Sequence, residues 1–449
     1  MGEPVLPKSA NPTQAPSTGD RVATSTPSSV TPGSRRRFML GSVATASAIT
    51  AIHRPAGAAV PAGSVERPVP ADPSKSQGIP LEDTSYGSRS QFENEVRTRF
   101  KTATAYSSWT FTPLQNSIGI ITPSGLHFER SHAGTTTIDP ARHSLYIHGL
   151  VDRARKLSVA DVKRFPSVSR VLFIECSGNG LTEWSKPTMP SVQGTHGLTS
   201  TSEWTGVPLS TLLQEAGVQG SAKWILAEGA DGAAMTRSIP IDKAMKDCIV
   251  AYGQNGEAIR PEQGYPLRLI VPGYEGNTHI KWLRRLQVAD APFMTREETS
   301  KYTDLLPDGK ARQFSFEMEA KSVITYPSGD MVLREKGFHE ISGLAWSGRG
   351  IIRKVEVSVD GGGTWQEASL QTPVLPISHV RFRFPWTWDG GEAILQSRCT
   401  DDTGYLQPTI KGLVAVRGLN GPLGSIYHLN GIQSWKVAAD GRVTNVHHY

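Results

Sequence analysis

From Phe314 onward, nearly every periodic segment of this chain alternates apolar and polar residues and stops at a Gly- or Asp-bearing turn. A period of two places successive side chains on opposite faces, which suits half-buried strands rather than helices. Residues 353–359 alternate and run into Asp360-Gly361-Gly362, a hairpin signal, and residues 380–384 and 393–399 repeat the pattern. Roughly 130 residues of short strands and tight turns predict a β-sandwich. The 44 Gly and 31 Pro residues of this 449-residue chain fit an architecture rich in turns.

The preceding part, about residues 95–295, mixes both element types and predicts an α+β domain. Leu145-Tyr146-Ile147-His148-Gly149-Leu150 reads as a strand and turn. Residues 158–165 read as a short helix with Ser158 as N-cap and Asp161 at N3, stopped by Pro166. Residues 208–216 read as a helix closed by Gly217, 223–228 as a strand and 241–248 as a helix. Residues 265–273 form a β-rich run that enters a Gly-bearing loop, and 280–288 pair apolar and basic residues in alternation. A charged segment over 91–101 predicts a further short helix.

Cys176 stands where the apolar run Val171-Leu172-Phe173-Ile174 gives way to Gly178-Asn179-Gly180. A thiolate at such a strand end is a candidate nucleophile or soft-metal ligand, and small neighbours admit a bulky group. The alternative is a buried structural cysteine. Cys248 and Cys399 are the other two cysteines, and both fit core positions better. Three widely spaced cysteines define no disulfide framework, and no Cys-x-x-Cys-His or zinc-type cluster is present.

Residues 1–58 read as an export signal. A Ser/Thr/Pro-rich stretch leads to Ser34-Arg35-Arg36-Arg37-Phe38-Met39-Leu40, a twin-arginine pattern, followed by a short, mildly apolar segment and Ala56-Gly57-Ala58. Of the net charge of +6, +4 lies in this segment, so the remaining +2 gives no case for nucleic-acid binding. Residues 59–94 read as a linker or arm. The expected mature protein is periplasmic, with no membrane span. Twin-arginine export moves folded chains, which suits a protein that acquires a cofactor before it leaves the cell.

Five separated stretches carry a resemblance: Leu126-His127-Phe128-Glu129-Arg130-Ser131-His132-Ala133-Gly134, Ile174-Glu175-Cys176-Ser177-Gly178-Asn179-Gly180, Trp204-Thr205-Gly206-Val207-Pro208-Leu209, Gly264-Tyr265-Pro266-Leu267-Arg268 and Lys281-Trp282-Leu283-Arg284-Arg285. In this order they resemble the sulfite oxidase family of molybdenum enzymes, and within it the molybdoprotein subunits of sulfane dehydrogenases. The resemblance implies a molybdopterin-binding catalytic domain over 95–300 and an immunoglobulin-like dimerisation domain over 301–449. It implies a molybdenum–molybdopterin cofactor with Cys176 as the protein's ligand to the metal. Arg130 and Tyr302 match catalytic positions. Phe128, Arg130, Ser131, His132, Gln263, Arg268, Asn277, Thr278, His279 and Lys281 match positions around the pterin and its phosphate.

The implied reaction is oxo transfer to inorganic or carrier-bound sulfane sulfur, with electrons passed to a separate c-type cytochrome. A homodimer through the C-terminal domain and a sulfur-carrier protein as substrate are the expected partners. In the family's sulfite oxidases, arginines that bind sulfite follow the cysteine motif. Gly180 and Leu181 stand here instead, and no arginine matches the family's C-terminal active-site position near Ser434-Trp435-Lys436. Loss of fork-shaped donors weakens recognition of a small oxyanion, which favours sulfur carried on a protein over free sulfite, the alternative substrate. Other readings are a cysteine-nucleophile hydrolase using Cys176 with His132 or His196, and an exported adhesion protein built on the sandwich. His196 and His428 otherwise read as satisfied structural histidines.

Overall fold

Val171, Leu172, Phe173 and Ile174 run without polar interruption, a pattern that suits a strand covered on both faces. In the computed structural model they form the end of the strand Val168–Glu175, with Phe173 and Ile174 fully buried. The structure describes residues 86–306, 308–419 and 427–448. The export-signal reading of 1–58 and most of the arm therefore lie outside the described residues. Residues 87–449 form one compact unit.

Val168–Glu175 pairs antiparallel along its whole length with Thr199–Pro208, from Val168 opposite Gly206 to Glu175 opposite Thr199. Thr199–Pro208 pairs in turn with Ile249–Gln254, which also takes Glu257–Ala258 and Arg268–Ile270 as partners. A second five-stranded sheet runs Arg155–Ser158, Ser144–Gly149, Leu283–Ala289, Trp224–Gly229 and Thr236–Pro240. Its pairs are antiparallel except for Leu283–Ala289 beside Ser144–Gly149. The helix Leu209–Ala216 buries Leu209, Leu212, Leu213 and Ala216, the spacing of one helical face. That face joins one core with Ile147, Ile225, Val250 and Leu286 from both sheets. Gly217 ends the helix in the left-handed region (φ 72°), as its position after the last apolar residue predicts. Ser158 and Asp161 form the expected capping box on the helix Val159–Arg164.

The C-terminal third is the expected two-layer sandwich of immunoglobulin-like type. One sheet runs Lys321–Tyr326, Gly337–Trp346, Val380–Trp388 and Ser369–Leu370. The other runs Gln366–Glu367, Ile352–Ser358, Ala393–Asp401, Ser434–Val437 and Val443–Val446. Val323, Ile341 and Phe382 from the first meet Val355, Leu395 and Trp435 from the second in one core. Leu114, Phe173 and Val192 belong to that same core, so the sandwich is packed directly against the cysteine-bearing strand.

Two elements differ from expectation. Residues 91–101 do not form a helix: Thr98–Phe100 is a short strand paired with Ser108–Phe111. So short a helix is marginal in isolation, and a ready strand partner outweighs its propensity. The region read as all strand also contains the helix Ile410–Arg417, capped by the Thr409 side chain.

The two halves are joined through charge as well as packing. Lys321 Nζ lies 2.5 Å from Glu175 Oε1, and both side chains are almost completely buried. Removing one partner strands a charge in a low-dielectric interior. Lys321→Met should therefore lower unfolding free energy by about 3–5 kcal/mol in chemical denaturation. A change within experimental error would show that this pair does not hold the halves together.

Candidate active site

The strand Val168–Glu175 ends on Cys176, and the loop after it is held from several sides. The Cys176 N–H donates to the Leu198 carbonyl and the Asn179 N–H to the Cys176 carbonyl. Asn179 Nδ2 donates to Glu175 Oε1 (2.9 Å), while its Oδ1 accepts from the Leu198 N–H (3.1 Å). A Cβ on Gly276 would meet the Glu175 carbonyl oxygen at 2.8 Å and Cys176 Cα at 3.2 Å. Only glycine allows the 276–278 turn to lie against the cysteine so closely. Cys176 is half-buried and unpaired with any other cysteine. Burial pushes its thiol pKa up, while the Gly178 N–H and the Arg130 charge oppose the shift. A free thiol here is a poor nucleophile at neutral pH.

Cys176 opens into a cleft. The expected residues Phe128, Arg130, Ser131, His132, Gln263, Arg268, Asn277, His279, Lys281 and Tyr302 all line it. Thr278 is not among them: its side chain is buried and its hydroxyl donates to the Glu275 carbonyl (2.8 Å). Glu129, Asp231, Met235, Gly276, Ile280 and Trp282 also line the cleft and were not assigned from the sequence. Asp231 and Gly232 mark the turn between Trp224–Gly229 and Thr236–Pro240, and that turn was the available signal.

At one end of the cleft, cations stand with few partners. Arg268 is buried, stacks over the Trp204 ring (5.2 Å) and donates through NH1 to the Gln263 carbonyl and Oε1. Its Nε has no hydrogen-bond partner, and no carboxylate pairs with it among the described residues. Burial alone lowers its pKa to about 9. Lys281 Nζ donates to Ser131 Oγ (2.9 Å) and the Glu262 carbonyl (3.0 Å), with Glu129 Oε1 at 3.5 Å. Burial lowers its pKa to about 8 despite that carboxylate. Gly264, at φ 111°, brings the Gln263 turn against Lys281, where a Cβ would fall 2.9 Å from its Cα. Gln263 Nε2 donates to the Phe128 carbonyl (2.9 Å) and so ties the 126–132 stretch to the same end. His279 spends both ring nitrogens on backbone, Nδ1 accepting from Val271 N–H and Nε2 facing the Tyr274 carbonyl.

At the other end, Arg130 lies over the Trp109 ring (5.2 Å), and its NH2 donates to His132 Nδ1 (3.2 Å). Burial and the Arg130 charge lower the His132 pKa to about 4, so the ring is neutral. With Nδ1 accepting, Nε2 carries the proton and donates to Tyr302 Oη at 3.1 Å. The Tyr302 hydroxyl keeps its own proton, because burial pushes its pKa up. Trp109, Leu181, Leu198 and Tyr427 form the mouth above Cys176, with Lys301 at its edge. His132 is thus fully engaged away from the sulfur. His196 is buried with Nδ1 at 2.8 Å from Thr195 Oγ1. Neither histidine is set to activate Cys176, which corrects the hydrolase reading.

Fold and cleft together define a molybdopterin oxidoreductase of the sulfite oxidase type. Residues 132–297 match the oxidoreductase molybdopterin-binding domain, and 312–434 the Mo-co oxidoreductase dimerisation domain. The chain is 34% identical to mitochondrial sulfite oxidase of Mus musculus over 274 residues, 56% of this chain and 50% of that protein. It is 32% identical to nitrate reductase [NADH] 1 of Arabidopsis thaliana over 310 residues, 60% of this chain and 33% of that protein. It thus spans about half or less of the length of these two relatives. The crystal structure of the sulfane dehydrogenase SoxCD from Paracoccus pantotrophus superposes with a TM-score of 0.81 at 46% identity. That match covers 84% of this chain and 97% of the other. The chain belongs to the sulfite oxidase family of molybdenum oxidoreductases, and its cofactor is molybdenum–molybdopterin.

The cleft suits that cofactor on its own chemistry. A cysteine sulfur, a soft donor, stands at one end, and among the described residues no cluster of three or more His, Cys, Asp or Glu could hold a metal alone. The other end carries a buried guanidinium with an unused N–H, which is what a phosphate requires. Arg268→Met should leave the melting temperature of the metal-free protein unchanged or raise it, because an unpaired buried cation is removed. Cofactor retention on gel filtration should fall at least about tenfold, the worth of a charged hydrogen bond. Full retention would remove Arg268 from the phosphate end.

Proposed function

We propose that this protein is an exported molybdenum enzyme that oxidises carrier-bound sulfane sulfur by oxo transfer and passes the electrons to a c-type cytochrome. The observation that carries the reading is the pairing of Cys176 with a single guanidinium, Arg130, beneath a mouth of Trp109, Leu181, Leu198 and Tyr427. Cys176 would hold the metal; Arg268, Lys281, Gln263 and the 276–279 turn would hold the pterin and its phosphate. When bound, the cofactor supplies the two-electron oxidation and the oxo group.

The chain's own residues supply the rest. Arg130 sets a fixed cation beside the thiolate, where negative charge develops on the sulfur product. His132 holds Arg130 and Tyr302 in one line through its two ring nitrogens. Because Nε2 donates to Tyr302 Oη, the Tyr302 proton is free for an acceptor in the cleft. The apolar mouth limits water at the sulfur.

A largely apolar entrance, with Lys301 only at its edge and one deep guanidinium, Arg130, suits a tethered sulfur atom better than a small, strongly hydrated dianion. The likeness to the Paracoccus sulfane dehydrogenase supports this substrate, and the identity to mammalian sulfite oxidase supports free sulfite as the second reading. The dimerisation-domain match supports a homodimer. Export is supported by the twin-arginine pattern Arg35-Arg36-Arg37-Phe38. No helix among the described residues is long and apolar enough to cross a membrane.

In a host that makes the pterin, the purified protein should carry one molybdenum per chain, and Cys176→Ser should lose most of it by elemental analysis. Equal metal in both proteins would remove Cys176 as the ligand. A protein carrying a cysteine-bound sulfane should be oxidised with kcat/KM about 100-fold above that for sulfite. Leu181→Arg should raise kcat/KM for sulfite about tenfold by adding a charged donor. Wild-type turnover of sulfite at equal or higher kcat/KM would favour the second reading.

A further inference from the structure

His428 lies in the C-terminal domain, 1% exposed in its side chain, in a left-handed backbone conformation (φ 63°). Its N–H donates to the Ser177 carbonyl (2.9 Å), the residue next to Cys176. Its ring stands between two carboxylates, with Nε2 at 3.1 Å from Glu275 Oε2 and Nδ1 at 3.2 Å from Glu319 Oε2. Each carboxylate is held from its other side as well. Glu275 Oε1 accepts from Arg237 NH1 (2.9 Å), and Glu319 Oε1 accepts from Arg417 NH2 (2.5 Å). An ionised carboxylate only accepts, so both ring nitrogens must donate, and only the imidazolium does that.

We propose that His428 is a positioning residue for the Cys176 site: a standing buried cation that neutralises Glu275 behind the cysteine loop and anchors the Ser177 carbonyl. The proposal rests on the reading of Cys176 as the metal ligand.

The charge count supports it. Arg237 pairs with Glu275 and Glu298, His428 with Glu275 and Glu319, and Arg417 with Glu319. Within this ion-paired set three cations meet three anions, and the set is neutral only when His428 is charged. The other titratable groups at this place are Asp304, Tyr302 and Tyr427. Asp304 Oδ1 accepts the Tyr427 N–H (3.0 Å), and Tyr302 lies 5.2 Å from Arg237 and 5.5 Å from Tyr427. Burial disfavours the imidazolium, but Glu275 and Glu319 outweigh it and lift the His428 pKa to about 9. Glu275 is followed by Gly276, whose backbone lies against Cys176, and the Glu275 charge is felt at the sulfur. If the imidazolium were lost, the carboxylates would keep one negative charge uncompensated beside the metal's ligand. A nearby negative charge favours the more oxidised metal and lowers its potential.

Two measurements on the full-length protein test this. In the nitrogen-15 spectrum of histidine-labelled wild type, one imidazolium should persist at pH 8, where ordinary histidines are neutral. Its absence would overturn the proposal without any variant. In the holoenzyme, His428→Gln should keep its molybdenum, show a lower metal midpoint potential, and lose about tenfold in kcat with little change in KM. The double variant His428→Gln/Glu319→Gln restores charge balance and should move the potential back toward wild type. A merely structural role predicts the reverse, a double variant worse than either single one, and that result or an unchanged potential would overturn the proposal. A wild type without molybdenum would instead overturn the metal-ligand reading, and this proposal with it.

Discussion

The Glu175 carboxylate is the interaction on which this structure turns. It is fully buried one residue before Cys176. Oε1 accepts from Lys321 Nζ and Asn179 Nδ2, and Oε2 accepts from Trp346 Nε1 at 2.7 Å. A buried carboxylate persists only where its lone pairs are met and its charge is balanced. Two of its three donors come from the sandwich, so the cysteine loop takes its position from both halves of the chain at once. The C-terminal domain is therefore part of the site's support rather than an appendage to it.

From that joint the cleft extends as a gradient in chemistry. Near Cys176 the groups are soft, neutral or singly cationic, and the neutral His132 relays position between Arg130 and Tyr302. At the far end Arg268 and Lys281 are held in a dry wall with too few anions, and both are less basic than usual because burial penalises their charge. Arg268, which no carboxylate among the described residues pairs with, costs stability until an anion arrives. That imbalance makes the cleft a binding site and not merely a gap in packing.

Much of this was legible beforehand because it is local. The hairpin after residue 358, the capping box at Ser158, the helix stop at Gly217 and the strand ending on Cys176 each depend on a few neighbouring residues. The stretches Leu126 to Gly134, Gly264 to Arg268 and Lys281 to Arg285 carried the site for the same reason. Thr278 lay between two of these stretches yet turned its hydroxyl to its own turn, since residue order does not say which side of a tight turn faces the cleft. Asp231 gave a weak signal because turn residues of that kind are common, and Trp282 lay in a recognised motif without its side chain's side being readable from order. Residues 91–101 held a charge pattern compatible with a helix, and a strand partner outside the segment decided otherwise. His428 read as a satisfied core histidine. It is buried and fully partnered, but its partners lie 153 and 109 residues away in the chain.

Periodicity, turn residues and motif order were enough to establish an α+β half, a sandwich half, a cysteine at a strand end and a family. These are properties of short stretches, and short stretches carry their own backbone preferences. The folded chain alone settled which charges meet: Lys321 with Glu175, His428 between Glu275 and Glu319, and Arg268 with no anion among the described residues. Buried electrostatics depend on distances between segments far apart in sequence and on the water removed around them, and neither is written in the order of residues.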